Sequence, residues 1–199
     1  MKNALAIYGL NLALVLPFGF IASEIALGHL GANPVERLLH LSGQAGLWLI
    51  FGLTCLPRLA ILFNWDWLKT WSKKRRRIGL SLFFYACLHL GIFFLDQLTE
   101  LEKLPKNLVR PFTLSGLVAW VIFLVLALTS SSWAQHKLKK NWNRLHRLVW
   151  LALPLIWVHL TLKEEGDPWR ASFWLFPPIM LWLALRYKTR PAGDRAVVD

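Results

Sequence analysis

The sequence predicts an all-α membrane protein, a bundle of six transmembrane helices. Two observations predict this fold. The first is composition, because 56% of the 199 residues are hydrophobic and the mean hydropathy is +0.43. The second is that apolar residues form runs of about 17–24, the length that spans a bilayer core. Continuous apolar runs also exclude a transmembrane barrel, whose strands alternate apolar and polar positions.

The six helices follow one another with short polar connections, and no connection is long enough to bury a core of its own. The last run is short, which leaves three alternatives: a tilted helix, a locally thinned bilayer, or a helix that extends through Trp169 and Tyr187. We assign residues 1–188 to one membrane domain and 189–199 to a cytoplasmic tail. The predicted helices are Ala4–Leu27, Leu38–Leu56, Ile78–Leu95, Phe112–Leu128, Leu145–Leu162 and Phe173–Leu185.

The net charge of +12 indicates membrane topology and not nucleic-acid binding, because the charge is distributed unevenly between the two sides. With both termini in the cytoplasm, the cytoplasmic segments carry 17 basic and three acidic residues, and the opposite side carries six basic and eight acidic residues. This is the positive-inside pattern. It predicts a multi-pass membrane protein with an even number of spans and both termini in the cytoplasm.

Histidine is the residue type that points to a function. His89 and His159 lie inside membrane-length apolar segments, and His146 stands at the start of one. Hydrocarbon offers no partner for an imidazole nitrogen, so an intramembrane histidine marks a functional site. Neutral imidazole is also an axial ligand of haem iron.

Depth in the membrane selects one histidine pair. His89 follows Arg77 by twelve residues, and His159 follows Arg147 by twelve residues. At 1.5 Å per residue each histidine lies about 18 Å from its boundary arginine, on helices that run in the same direction. We therefore predict that His89 and His159 ligate one b-type haem. The alternative is that each histidine is a hydrogen-bonding contact between helices.

His146 lies about 20 Å below His159 on an ideal helix and has no histidine at its depth on the third helix. It is a candidate for a second haem, for a place beside a flavin, or for a plain interfacial residue. Arg75, Arg76 and Arg77 are first of all topology determinants and also candidates for propionate, phosphate or anionic-lipid contacts. His40 heads the second helix and is a further candidate for a propionate contact.

The sequence contains no GxGxxG fingerprint and no room for a nucleotide-binding domain. A reductant must therefore come from a separate reductase, a quinol or a small bound flavin. We predict no catalytic residues and no substrate chemistry within this chain. Two other functions stay open: the membrane domain of a ferric or other metal reductase, and a non-redox transporter or scaffold.

Four stretches that span nearly the whole chain resemble the MsrQ (YedZ) family of haem-binding membrane subunits. They are LGANPVERLLHLSGQAGLWL at 30–49, RRRIGLSLFFYACLHL at 75–90, RPFTLSGLVAWVIFLVLALTSSSWAQHKLKKNWNRLHRLVWL at 110–151 and LALRYK at 183–188.

The resemblance implies a six-helix, ferric-reductase-like domain with b-type haem between the third and fifth helices. It also implies a location in the bacterial inner membrane. The implied partner is a periplasmic molybdenum-cofactor methionine-sulfoxide reductase that repairs oxidised proteins. Electrons would come from quinol or from a cytoplasmic flavin reductase, and FMN is implied by the resemblance alone. His89, His146 and His159 match the family's haem-associated positions. The third helix carries only His89, unlike broader relatives with two histidines on that helix.

Overall fold

The computed structural model describes residues 2–163 and 166–189, and these residues form helices joined by short turns. The predicted tail lies outside the described residues from position 190 onward. The helices are α1 (Lys2–Ala26), α2 (Pro34–Phe63), α3 (Asp66–Lys73), α4 (Arg75–Gln97), a 3-10 helix (Leu98–Lys103), α5 (Leu104–Leu108), α6 (Pro111–Leu128), α7 (Ser132–Leu138), α8 (Lys140–His146), α9 (Val149–Thr161) and α10 (Pro168–Thr189).

The predicted all-α fold is confirmed: within the described ranges the protein has no strand. In the part of the chain that the structure describes, four helices are long and apolar enough to cross a membrane, and they correspond to the first four predicted spans. The last predicted helix takes the extended alternative, because α10 includes both Trp169 and Tyr187.

The predicted helix Leu145–Leu162 is wrong as a single element. The chain leaves α8 at His146 and enters α9 at Val149. Between them, the amides of Arg147 and Leu148 bond to carbonyls only three residues earlier, which is the tighter 3-10 pattern. Such a turn changes the rotation of the chain, so the directions of His146 and His159 cannot be read from one ideal helix.

Helices α2, α4, α6 and α9 surround the main core. Helix α2 packs on α4, α6 packs on α9, and α10 covers α2 and α9. The main hydrophobic cluster between them consists of the buried residues Ile50, Leu82, Ile122, Phe123, Ala152 and Leu153. The outer surfaces of the long helices also expose large apolar side chains such as Phe84 and Val118. An apolar exterior around a packed interior suits a bundle in lipid.

Helix α1 is attached to the bundle through the hydroxyl of Tyr85 on α4. This hydroxyl accepts a hydrogen bond from the Phe18 amide at 3.0 Å and donates one to the Leu14 carbonyl at 2.9 Å. In an uninterrupted helix these two backbone groups would bond to each other. A side chain inserted there, next to Pro17, is a recognised cause of a helix bend.

Candidate functional site

A cavity of about 310 Å³ lies between α2, α4, α6 and α9, and we call it the histidine cavity. Its volume is in the range of sites that hold small molecules and cofactors. The walls are mostly apolar, with Leu82 and Phe123 among them. Its polar end is lined by Glu36, His40 and Lys163, and we call these three residues the mouth.

His89 of α4 and His159 of α9 both line this cavity. Their ring centroids are 6.2 Å apart, and the ring planes are nearly perpendicular, at 81°. The equal spacing of the two histidines from Arg77 and Arg147 therefore corresponds to a real proximity in space. Their role as iron ligands stays a prediction.

Each imidazole is held through its Nδ1 atom by the backbone of a neighbouring helix. His89 Nδ1 lies 3.0 Å from the Leu39 carbonyl oxygen of α2 and 3.3 Å from the Ser42 hydroxyl. His159 Nδ1 lies 2.7 Å from the Phe112 carbonyl oxygen of α6. A carbonyl oxygen only accepts hydrogen bonds, so Nδ1 carries the proton in both rings.

This tautomer leaves the lone pair of each ring on Nε2. Among the described residues, neither Nε2 has a hydrogen-bond partner. Histidines that bind metals nearly always donate their other ring N–H to a carbonyl or carboxylate, which fixes the tautomer and the ring orientation. The contacts of His89 and His159 follow this pattern.

A glycine faces each histidine and permits these close contacts. A Cβ atom added to Gly116 would lie 2.7 Å from His159 Nδ1, and one added to Gly43 would lie 3.3 Å from His89 Nδ1. Each glycine stands four residues after the carbonyl that holds the ring, Phe112 or Leu39. The two helix pairs, α2 with α4 and α6 with α9, thus use the same local arrangement.

The donor set and the spacing fit a haem. Two imidazoles on opposite sides of one metal, each with nitrogen about 2 Å from it, have ring centres roughly 6 Å apart. The observed separation is 6.2 Å. No group of three or more His, Cys, Asp or Glu side chains occurs in the part of the chain that the structure describes. A site with only two protein ligands suits haem iron, which receives its other ligands from the macrocycle.

Comparison with known proteins identifies the family. The family model of the ferric reductase like transmembrane component matches residues 42–157. A relative from Herminiimonas arsenicoxydans is 36% identical over 160 residues, covering 79% of this chain and 72% of that protein. It is named "Protein-methionine-sulfoxide reductase heme-binding subunit MsrQ". The chain belongs to the MsrQ family. It is therefore a multi-pass membrane protein with a ferric-reductase-like helical bundle.

The other residues predicted to contact a cofactor in this MsrQ-family chain lie at two different ends of the helical bundle. His40 lies at the mouth, as a contact to an acidic group of a bound cofactor requires. Arg75, Arg76 and Arg77 do not line the cavity. Arg75 bonds to the Ser72 carbonyl and Arg77 to the Asn11 side chain, so two of these arginines stabilise the opposite end of the bundle.

His146 also lies away from the histidine cavity. Its ring stacks on Trp142, with 4.0 Å between the ring centroids, and its Nε2 lies 3.3 Å from the Thr129 hydroxyl. Both neighbours belong to the same end of the bundle as Arg147. The structure thus does not bring His146 together with His89 and His159, and its role at a second haem or beside a flavin stays a prediction.

Sequence analysis missed the two glycines and the mouth residue Lys163. A signal for the glycines is present in the sequence, because Leu-Ser-Gly occurs at 41–43 and again at 114–116. The serines of both tripeptides are buried and bond to carbonyls of their own helices. A repeated small-residue tripeptide on two membrane helices is typical of close helix contacts.

Proposed function

We propose that this chain is a membrane electron-transfer subunit that holds one b-type haem between His89 and His159. The carrying observation is the pair of facing imidazoles, each with Nδ1 bonded to a backbone carbonyl and Nε2 directed away from that bond. Bound haem would supply one-electron redox chemistry between ferric and ferrous iron.

The chain's own residues would bind, orient and insulate that group. The carbonyls of Leu39 and Phe112 keep both rings in the Nδ1–H tautomer, which increases the basicity of Nε2. Apolar side chains such as Ile50 and Leu82 exclude water from the cavity walls. A dry apolar surrounding is one of the means by which a protein sets a redox potential.

The partner follows from the relative's name, which places that protein in a methionine-sulfoxide reductase system. We propose that the acceptor is a periplasmic molybdenum-cofactor catalytic subunit, and that the donor is quinol or a cytoplasmic flavin reductase. The charge distribution supports an inner-membrane location with cytoplasmic termini. The mouth at His40 and Lys163 then faces the periplasm. FMN stays a prediction.

The test is the optical spectrum of the purified full-length protein and of three variants. We expect His89→Ala and His159→Ala each to lose the low-spin haem bands, because each removes one axial nitrogen. His29→Ala, a change in the exposed turn after α1, is the matched control and should keep the wild-type spectrum. Unchanged low-spin bands in either cavity variant would overturn the assignment.

The ferric-reductase-like family model favours one second candidate, the membrane domain of a metal reductase. Reduced protein that passes electrons to iron chelates, and not to a sulfoxide reductase, would support it. A protein purified without haem from haem-replete cells would instead support the non-redox transporter or scaffold.

A further inference from the structure

The hydroxyl of Thr113 differs from the hydroxyls of three other threonines in the bundle. Thr54, Thr129 and Thr161 each donate to the carbonyl four residues earlier in their own helix, at 2.7–3.0 Å. Thr113 is only 6% exposed, and its Oγ1 has no hydrogen-bond partner in the described ranges 2–163 and 166–189. Buried hydroxyls are nearly always hydrogen-bonded, so this one calls for an explanation.

The start of α6 explains why the helix itself does not satisfy this hydroxyl. The helix begins at Pro111, so the carbonyl four residues before Thr113 belongs to Val109, which lies outside the helix. Thr113 also lines the histidine cavity. Its hydroxyl is therefore a buried donor in the wall of a site that is otherwise mostly apolar.

The position of Thr113 relates it to the mouth. It precedes Gly116, which contacts His159, by nearly one helical turn. Lys163 follows His159 by four residues and lies just after the end of α9, which runs antiparallel to α6, so Thr113 and Lys163 both lie on the mouth side of the His159 ring. His40 lines the same end, while the third mouth residue, Glu36, accepts a hydrogen bond from Asn33. An ammonium, an imidazole and a hydroxyl together suit a carboxylate.

A second unsatisfied donor in the cavity wall is the indole N–H of Trp120. It lies one turn beyond Gly116, on the side away from the mouth. Its aromatic neighbour is Phe83, 6.0 Å between ring centroids, and apolar Phe123 lines the same end. A carboxylate buried among such residues would lose its hydration without a counter-charge, which is strongly unfavourable.

We propose that Thr113 is a ligand-binding residue that donates its hydroxyl hydrogen to a carboxylate of the bound tetrapyrrole, with Lys163 and His40 beside it. Haem b carries both of its carboxylates on one edge, so only one end of the cavity can receive them. The acid edge of the macrocycle therefore faces the mouth, and the apolar edge faces Trp120. This inference rests on the proposed haem site and adds the orientation of the haem within it.

The test compares haemin with haemin dimethyl ester, whose carboxylates are blocked. Full-length protein from haem-starved cells is titrated with each compound, and affinity is read from the low-spin bands. We expect Thr113→Val to weaken haemin binding about tenfold or more, and to leave the affinity for the ester nearly unchanged. Lys163→Met should show the same selectivity, and Lys163→Arg should restore haemin binding.

Thr54→Val is the matched control. It removes a buried threonine hydroxyl that bonds within α2 and does not line the cavity, so it should affect both compounds equally. Thermal unfolding gives a second readout that a purely structural role would not produce. Thr113→Val removes an unpaired buried hydroxyl from the haem-free protein, so it should leave that form as stable as wild type or more stable, and destabilise only the haemin-loaded form.

Three outcomes separate the two claims. A wild-type protein that gives no low-spin bands with either compound overturns the proposed function and, with it, this inference. If the wild-type protein gives low-spin bands and Thr113→Val weakens the binding of both compounds equally, only the proposed orientation is overturned. If Trp120→Phe, and not Thr113→Val, weakens the binding of haemin while the binding of the ester is unchanged, the acid edge lies at the opposite end of the cavity. That result also overturns the proposed orientation.

Discussion

Substitution of Gly116 by alanine should displace His159 from its hydrogen bond and release the haem. The added Cβ would lie 2.7 Å from Nδ1 and 3.0 Å from Cε1 of that ring, whereas ordinary van der Waals contacts begin at 3.4 Å. The ring must therefore move by most of an ångström. A movement of this size away from α6 would lengthen its 2.7 Å bond to the Phe112 carbonyl to about 3.4 Å, beyond the usual range of an N–H···O hydrogen bond.

The magnitude follows from two effects. Overpacking a well-filled site costs roughly 1–3 kcal/mol, and loss of the Nδ1 hydrogen bond costs about 1 kcal/mol more. Together, about 2–4 kcal/mol corresponds to a loss of roughly 30- to 1,000-fold in haem affinity. Gly43→Ala has a contact of 3.3 Å, which needs a shift of only about a tenth of an ångström. We expect its loss to stay within about tenfold.

The assay measures the haem-to-protein ratio and the low-spin bands of full-length protein in detergent. Gly91→Ala is the matched control, because this glycine lies on α4 two residues after His89 and has open space around its Cβ position. Added imidazole should restore low-spin bands in Gly116→Ala by replacing the displaced ligand. Wild-type haem affinity in Gly116→Ala would refute the reasoning.

Three further changes test other parts of the molecule. Tyr85→Phe should lower the thermal unfolding midpoint, because it removes hydrogen bonds to α1 that contribute about 1–3 kcal/mol to stability. Tyr8→Phe changes an exposed tyrosine and should leave the midpoint unchanged; equal midpoints in the two variants would contradict this expectation. His146→Phe should leave the spectrum of the haem between the cavity histidines unchanged, because this ring lies outside the cavity; lost low-spin bands at that haem would count against the separation. Leu82→Ala should destabilise the protein by about 2–5 kcal/mol, measured by unfolding in detergent, and the more exposed Leu80→Ala should have a clearly smaller effect.

Features that depend only on distance along the chain could be predicted from the sequence. Apolar run length predicted the long helices, and the equal spacing of His89 and His159 from basic residues predicted their proximity. The break between α8 and α9 was not predictable in the same way, because the hydropathy of Leu145–Leu162 carries no information about a 3-10 turn.

The glycines and Thr113 could not be assigned a role without the structure. Glycine in a membrane helix is common, and only the rotation of α6 against α9 shows that Gly116 faces an imidazole. Thr113 resembles any other threonine near a helix start. Its significance comes from a hydrogen bond that its own helix does not make, which is a property of three-dimensional contacts.

The attachment of α1 has a consequence for the order of assembly during synthesis. The hydroxyl that bridges the Leu14 carbonyl and the Phe18 amide belongs to Tyr85, which is translated 67 residues after Phe18. When α1 enters the bilayer, this bridging group does not yet exist. The contact that joins α1 to the bundle through Tyr85 can therefore form only after α4 has been inserted, so the first helix of the chain is among the later ones to complete its packing.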